Sequence, residues 1–172
     1  MRWSAVTAAL LTLSAGCGSD PVDPLDPELV RELSLEQGTA SGDAHAGNFT
    51  LHLAVDRCDC PSFEYQGQSV DLCLISEVGN TYANLAEGSG VLVMSSAIGL
   101  VTGAIETDSS FVVAGIEDLS TLAGPLESLK RMDGQFSDDD SAEGWVGQRV
   151  IGEVPGQSID CRWIGSFALT RN

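Results

Sequence analysis

From Gly47 onward apolar and polar residues alternate, and this period of two constrains the fold more than any other feature of the chain. Phe49, Leu51, Leu53 and Val55 alternate with Thr50, His52 and Ala54, and Val70, Leu72 and Leu74 with Asp71 and Cys73. Phe111 and Val113 point one way, and Ile159, Cys161, Trp163, Gly165, Phe167 and Leu169 form the longest stripe. Shorter runs occupy Val91–Met94, Ile98–Ile105, Leu126–Phe136 and Trp145–Val154. Successive side chains of a strand face opposite ways, so each run reads as a strand with one buried face. Gly79-Asn80, Asp108-Ser109 and Asp138–Asp140 are turn clusters between runs. About eight strands at this spacing predict an all-β, antiparallel up-and-down meander. Closure removes exposed edges, so the expectation is an eight-stranded barrel or half-open barrel. A barrel of that size is either filled by side chains or just holds one small ligand.

The N-terminus reads as an address. Arg2 is followed by an apolar run from Ala5 to Leu13, then by the small residues Ser14, Ala15 and Gly16 before Cys17. Residues 1–16 therefore read as a secretory signal, the run being about half the ~20 residues that span a bilayer. Leu13-Ser14-Ala15-Gly16-Cys17 resembles a bacterial lipobox, with Ser14 where that motif prefers Leu. The resemblance implies that the Cys17 thiol carries diacylglycerol and that N-terminal acyl chains hold the protein to a membrane. Ser14 and Gly16 equally suit an ordinary signal peptidase, which would leave a free secreted protein. Gly18 is not the Asp that retains many lipoproteins in the inner membrane. The expected location is thus the bacterial envelope, at the outer membrane, facing the periplasm or the cell surface.

Residues 17–28 are then the acylated Cys and an Asp/Pro-rich tether, with Asp-Pro repeated three times. A polyproline-like spacer of this length reaches roughly 30 Å. Residues 29–46 are expected to hold a short helix or edge strand and a loop. Asp26 would cap a helix running to Gly38, with Pro27 at its first position and Leu29, Val30 and Leu33 as its apolar face. Leu33 and Leu35 also suit an edge strand. The β-domain spans 47–172.

Charge narrows the partners. Eight Lys+Arg against 25 Asp+Glu give −17, with a pI near 4.1. Nucleic acid is excluded, because phosphate binding needs a basic face. An anionic lipid surface is repelled, so membrane attachment must be covalent or hydrophobic. Without Arg2, seven cations face 25 anions and the charge is −18.

Assigning Cys17 to lipid leaves four of the five cysteines: Cys58, Cys60, Cys73 and Cys161. An even set in an exported protein is ordinarily a disulfide framework. A four-thiolate zinc site is the competing reading, although the one-residue gap between Cys58 and Cys60 is short for paired ligands. Cys58 and Cys60 are each expected to pair elsewhere, with Cys73 and Cys161 as partners. That joins early strands to the last one, and which pairs with which stays open.

No catalytic constellation stands out. The two histidines are His45, in a Gly/Ser/Ala-rich loop, and His52, on the polar side of its strand; both are expected to face water. HExxH, GxSxG, SxxK and Walker patterns are absent. Asp138-Asp139-Asp140-Ser141, with Asp133 and Glu143, lacks the alternate-position spacing and turn glycine of a calcium loop and reads as a solvated hairpin tip. Trp163 shares a face with Ile159 and Phe167 and is expected in the core; Trp145 is a core or pocket residue. The reading is of a non-enzymatic protein without cofactor or metal site.

Thr102-Gly103-Ala104-Ile105, Asp108-Ser109-Ser110-Phe111, Met132-Asp133-Gly134-Gln135-Phe136, and the closing Asp160-Cys161 and Phe167-Ala168-Leu169-Thr170-Arg171 carry a family likeness. Together they resemble a diffuse group of small bacterial lipoproteins with a Gly-rich, lipocalin-like β-domain of unknown function. The likeness implies fold and location and supplies no site residues. The functional expectation is a non-catalytic binding role, toward a small apolar ligand in the barrel or a protein partner at a rim. The alternatives are a structural envelope component with a closed core, or an enzyme-inhibitor-like periplasmic lipoprotein, an analogy of architecture alone.

Overall fold

The computed structural model describes residues 22–65, 68–71, 73, 79–120, 124–154 and 157–172. One short helix, α1 (Pro27–Leu33), precedes ten strands: β1 (Gly47–Asp59), β2 (Ser62–Tyr65), β3 (Gln68–Asp71), β4 (Asn80–Gly88), β5 (Val91–Ser96), β6 (Gly99–Ile105), β7 (Ser110–Asp118), β8 (Leu126–Asp138), β9 (Ser141–Val154) and β10 (Gln157–Arg171). β1 and β4–β10 form a closed antiparallel barrel in chain order, sealed where β1 pairs with β10. β2 and β3 form a separate two-stranded sheet inserted between the first two barrel strands.

The expected all-β, eight-stranded barrel is therefore what the chain forms, with one strand exchanged. The Val70–Leu74 alternation does not enter the barrel: Val70 and Asp71 lie in β3, and Leu72 and Leu74 fall outside the described residues. The second barrel strand is β4, which the alternation did not flag. Its inward row, Thr81, Ala83 and Leu85, contains one large aliphatic residue, and its neighbours in the barrel supply the rest of the packing.

Alternation places one row of each strand inside. Phe49, Leu51 and Leu53 of β1 meet Leu92 and Met94 of β5, Val101 and Ile105 of β6, and Phe111 and Val113 of β7. Met132, Phe136, Val146, Trp163, Phe167 and Leu169 complete the interior. Phe136 contacts Phe49 and Phe111, with ring centroids 6.3 and 5.2 Å apart, and Phe111 reaches Phe167 at 6.0 Å. Of the two cases the barrel size allows, the interior is the filled one.

One end is crossed by residues 37–46. The amides of Gly38 and Ala40 donate to the carbonyls of Gly90 and Ile105. Gly90, at φ 76°, turns β4 into β5 in the left-handed region that favours glycine. His45 does not face water as expected. It is buried and stacked on Phe136, rings 3.9 Å apart and nearly parallel, while its backbone N–H donates to Glu87. The segment is the loop expected, but it crosses a barrel end and so places its one ring over the core. His52 is exposed, with Nδ1 2.8 Å from Asn80 Oδ1.

The opposite end is polar inside. Ser128, Lys130 and Gln148 point inward; the Gln148 amide donates to the Ser128 hydroxyl at 2.7 Å and accepts from the Trp163 indole N–H at 3.1 Å. Lys130, the one lysine of the chain, is 2% exposed and ion-paired with the half-exposed Glu117. Disulfides Cys58–Cys73 and Cys60–Cys161 stand at this end, the second tying the end of β1 to the start of β10. The four cysteines thus pair as disulfides, through one of the two connectivities left open.

α1 begins where the Asp26–Pro27 signal puts it. The Asp26 carboxylate accepts from the amides of Glu28 and Leu29, at 2.9 and 3.2 Å. The helix ends at Leu33, short of Gly38, because the following residues leave to bond the barrel rim. Val30 and Leu33 are buried outside the barrel against Ala114 and Leu129. Among the described residues no helix is long and apolar enough to cross a membrane.

Candidate binding groove

The outer faces of β8, β9, β10 and β1 carry an unexpected pattern. Arg131 and Asp133 on β8, Arg149 on β9, Asp160 and Arg162 on β10, and Arg57 and Asp59 on β1 alternate with buried residues, so all project outward. Arg131 grips Asp133 with two 2.7 Å bonds, and Arg149 grips Asp160 with bonds of 2.8 and 2.7 Å. The Arg149 bond is the main reason the Asp160 carboxyl is held below its usual range. Arg57 and Asp59 form a looser, exposed pair 3.7 Å apart.

Arg149 and Arg162 stand directly opposite one another across β9 and β10. Like charges in that register repel. The chain resolves this with Asp23, whose carboxylate binds Arg149 at 3.3 Å and also pairs with Arg162. Burial pushes the Asp23 carboxyl up, but the Leu25 backbone N–H and the two guanidinium groups outweigh it and hold the carboxyl low. Leu25 is fully buried beside Trp145, over Gly147, where a side chain on residue 147 would strike the indole. The Pro24 carbonyl accepts from Arg131 at 3.4 Å. Residues 23–25, expected to belong to a free stalk, are thus docked on the barrel wall.

Beside this dock lies a groove of about 610 Å³. Trp145, Ile164 and Leu25 give it an apolar floor, and Arg57, Arg162, Asp59, Asp133 and Asp160 supply both signs of charge. Trp145 is therefore the pocket residue of the two tryptophans, while Trp163 is in the core as expected. Indole, guanidinium and carboxylate groups at one concavity are equipped to hold an amphipathic ligand with paired charges.

The other residues singled out in the sequence lie elsewhere. Asp138–Asp140 form the β8–β9 hairpin tip, where Asp140 pairs with Arg171 at 2.7 Å and the Asp139 carbonyl accepts from the same guanidinium. Cys17 lies outside the described residues. The groove itself was missed, although the motifs Arg57-Cys58-Asp59, Arg131-Met132-Asp133 and Asp160-Cys161-Arg162 signal it: opposite charges two apart on a strand share a face.

These observations define a closed up-and-down barrel with an external helix and with residues 23–25 docked on its wall. Beyond that class, the chain matches no protein-family model, no curated protein and no solved structure.

Proposed function

We propose that the protein is a lipid-anchored envelope protein with a non-catalytic binding role, exercised at the outer groove. The carrying observation is the filled interior: side chains occupy the space a small apolar ligand would need, and the amphipathic concavity is on the outside. Export is supported by the two disulfides, which persist in oxidising compartments. Anchoring rests on the lipobox-like residues before Cys17.

Two experiments test this. Cys17→Ser should move the protein from the membrane to soluble fractions; retention on the membrane refutes the anchor. A photo-crosslinking residue at Ile164, in the groove, should capture a molecule that the same residue at Leu100, exposed on β6, does not. Capture at neither position favours the second reading, a structural envelope component, which the filled core also supports.

A further inference from the structure

We propose that the groove rests on the bilayer and receives the headgroups of zwitterionic phospholipids. The inference names the partner of the groove described above, and it rests on the acylation of Cys17. Its first support is length. Because Asp23 and Leu25 are fixed to the barrel wall, only the six steps from Cys17 to Asp23 separate the lipid from the dock. Fully extended, those residues span at most about 22 Å. β10 alone, with 15 residues, is about 50 Å long at 3.3 Å per residue. A segment this short keeps the docked face, more than any other side, within about 22 Å of the acyl chains.

Charge gives the second support. The four guanidinium groups of Arg57, Arg131, Arg149 and Arg162 stand among the carboxylates of Asp23, Asp59, Asp133 and Asp160, so this face is nearly neutral. The chain after Cys17 carries −18, all of it outside these eight residues. Turned to a membrane that contains anionic lipid, this face is not repelled as the sides that hold the remaining acids are.

Groove chemistry gives the third. Arg57 and Asp59 are the most exposed charged pair described, their side chains about three-quarters accessible, and they offer a cation and an anion 3.7 Å apart. A phosphate fits the guanidinium, and an ammonium fits the carboxylate. Trp145 beside them is the side chain that favours the headgroup level, where its ring meets apolar and wet surroundings together. A purely anionic headgroup would meet the three lining carboxylates without a cation to offer them.

The test uses the full acylated protein in phosphatidylethanolamine–phosphatidylcholine vesicles that include lipid spin-labelled at the headgroup. Trp145 and Trp163 are the tryptophans after Cys17, so quenching of the first alone should lower emission about twofold. Trp145→Phe should abolish the quenching, leaving the buried Trp163 signal intact. Asp23→Ala combined with Leu25→Ser should free the tether and weaken the quenching without releasing the protein. Flotation with the vesicles but no quenching of Trp145 overturns the proposal and leaves the anchor standing. Failure to float overturns the anchor and this proposal with it. Equal or stronger quenching in pure phosphatidylglycerol vesicles overturns the headgroup assignment.

Discussion

The two ends of the barrel interior are built on different physics. At the end crossed by residues 37–46, Phe49, Phe111, Phe136 and Phe167 meet, and His45 lies on Phe136. At the other, β8 and β9 turn Ser128, Lys130 and Gln148 inward beneath the Trp163 indole N–H. Burial of aromatic area is favourable in itself. A buried amide or ammonium group trades water for protein partners and gains little net. Both disulfides stand at the polar end. The comparison teaches that covalent links reinforce the barrel where packing contributes least, while the aromatic end is held by ring packing and by the hydrogen bonds of the segment that crosses it.

The sharpest way to break this comparison is Phe136→Ala, which removes the ring that His45, Phe49 and Phe111 share. It should cost about 3–5 kcal/mol in urea unfolding, and a cost near zero would show that the aromatic end is not self-supporting. Next comes the pair Cys60→Ser and Cys161→Ser, which opens the longer covalent loop. A loss of about 2–4 kcal/mol is expected, and an unchanged midpoint would mean the polar end holds without its link.

Gln148→Leu sharpens the contrast further, because it strands the Ser128 hydroxyl and the Trp163 N–H. Unfolding should register about 1–3 kcal/mol for those unmet bonds. Lys130→Met is expected to move stability by less than about 1 kcal/mol in either direction. Glu117 is half exposed and keeps its hydration, while a desolvated ammonium disappears. A large loss there would assign the ion pair a structural weight that its burial does not suggest.

The smallest effect is that of pH on the dock. Asp23 and Asp160 have carboxyls held below their usual range when folded. Their contribution is therefore complete above the unfolded carboxylate value of about 4, and it is lost as pH falls through the lower folded values. Thermal melting followed from neutral pH downward should decline in that acid window. Asp160→Asn should flatten its share of the decline, and an unaltered profile would show that the Arg149–Asp160 bond contributes nothing measurable.

Much of the barrel was legible because alternation is a local property of each strand. The stripe from Ile159 to Leu169 is β10 with its inward row as read. The Asp26-Pro27-Glu28 cap was legible for the same reason, since it needs only three neighbouring residues. β4 escaped because Thr81 and Ala83 are small, and they lie inside only by virtue of the strands on either side. His45 escaped because its burial depends on a segment that crosses the barrel end. The groove escaped because its charges come from β8 and β10, in the barrel's later half, and from β1, more than 70 residues earlier in the chain.

Neighbours along the chain thus encode the period of the strands, their approximate number and the cysteine framework. Only the tertiary structure decided that the interior is filled, that Cys58 pairs with Cys73 and Cys60 with Cys161, and that residues 23–25 dock on the wall. Each of those depends on which distant strand closure brings alongside. Arg149 opposes Arg162 only once β9 and β10 have paired, and only then does Asp23 have two guanidinium groups to bind.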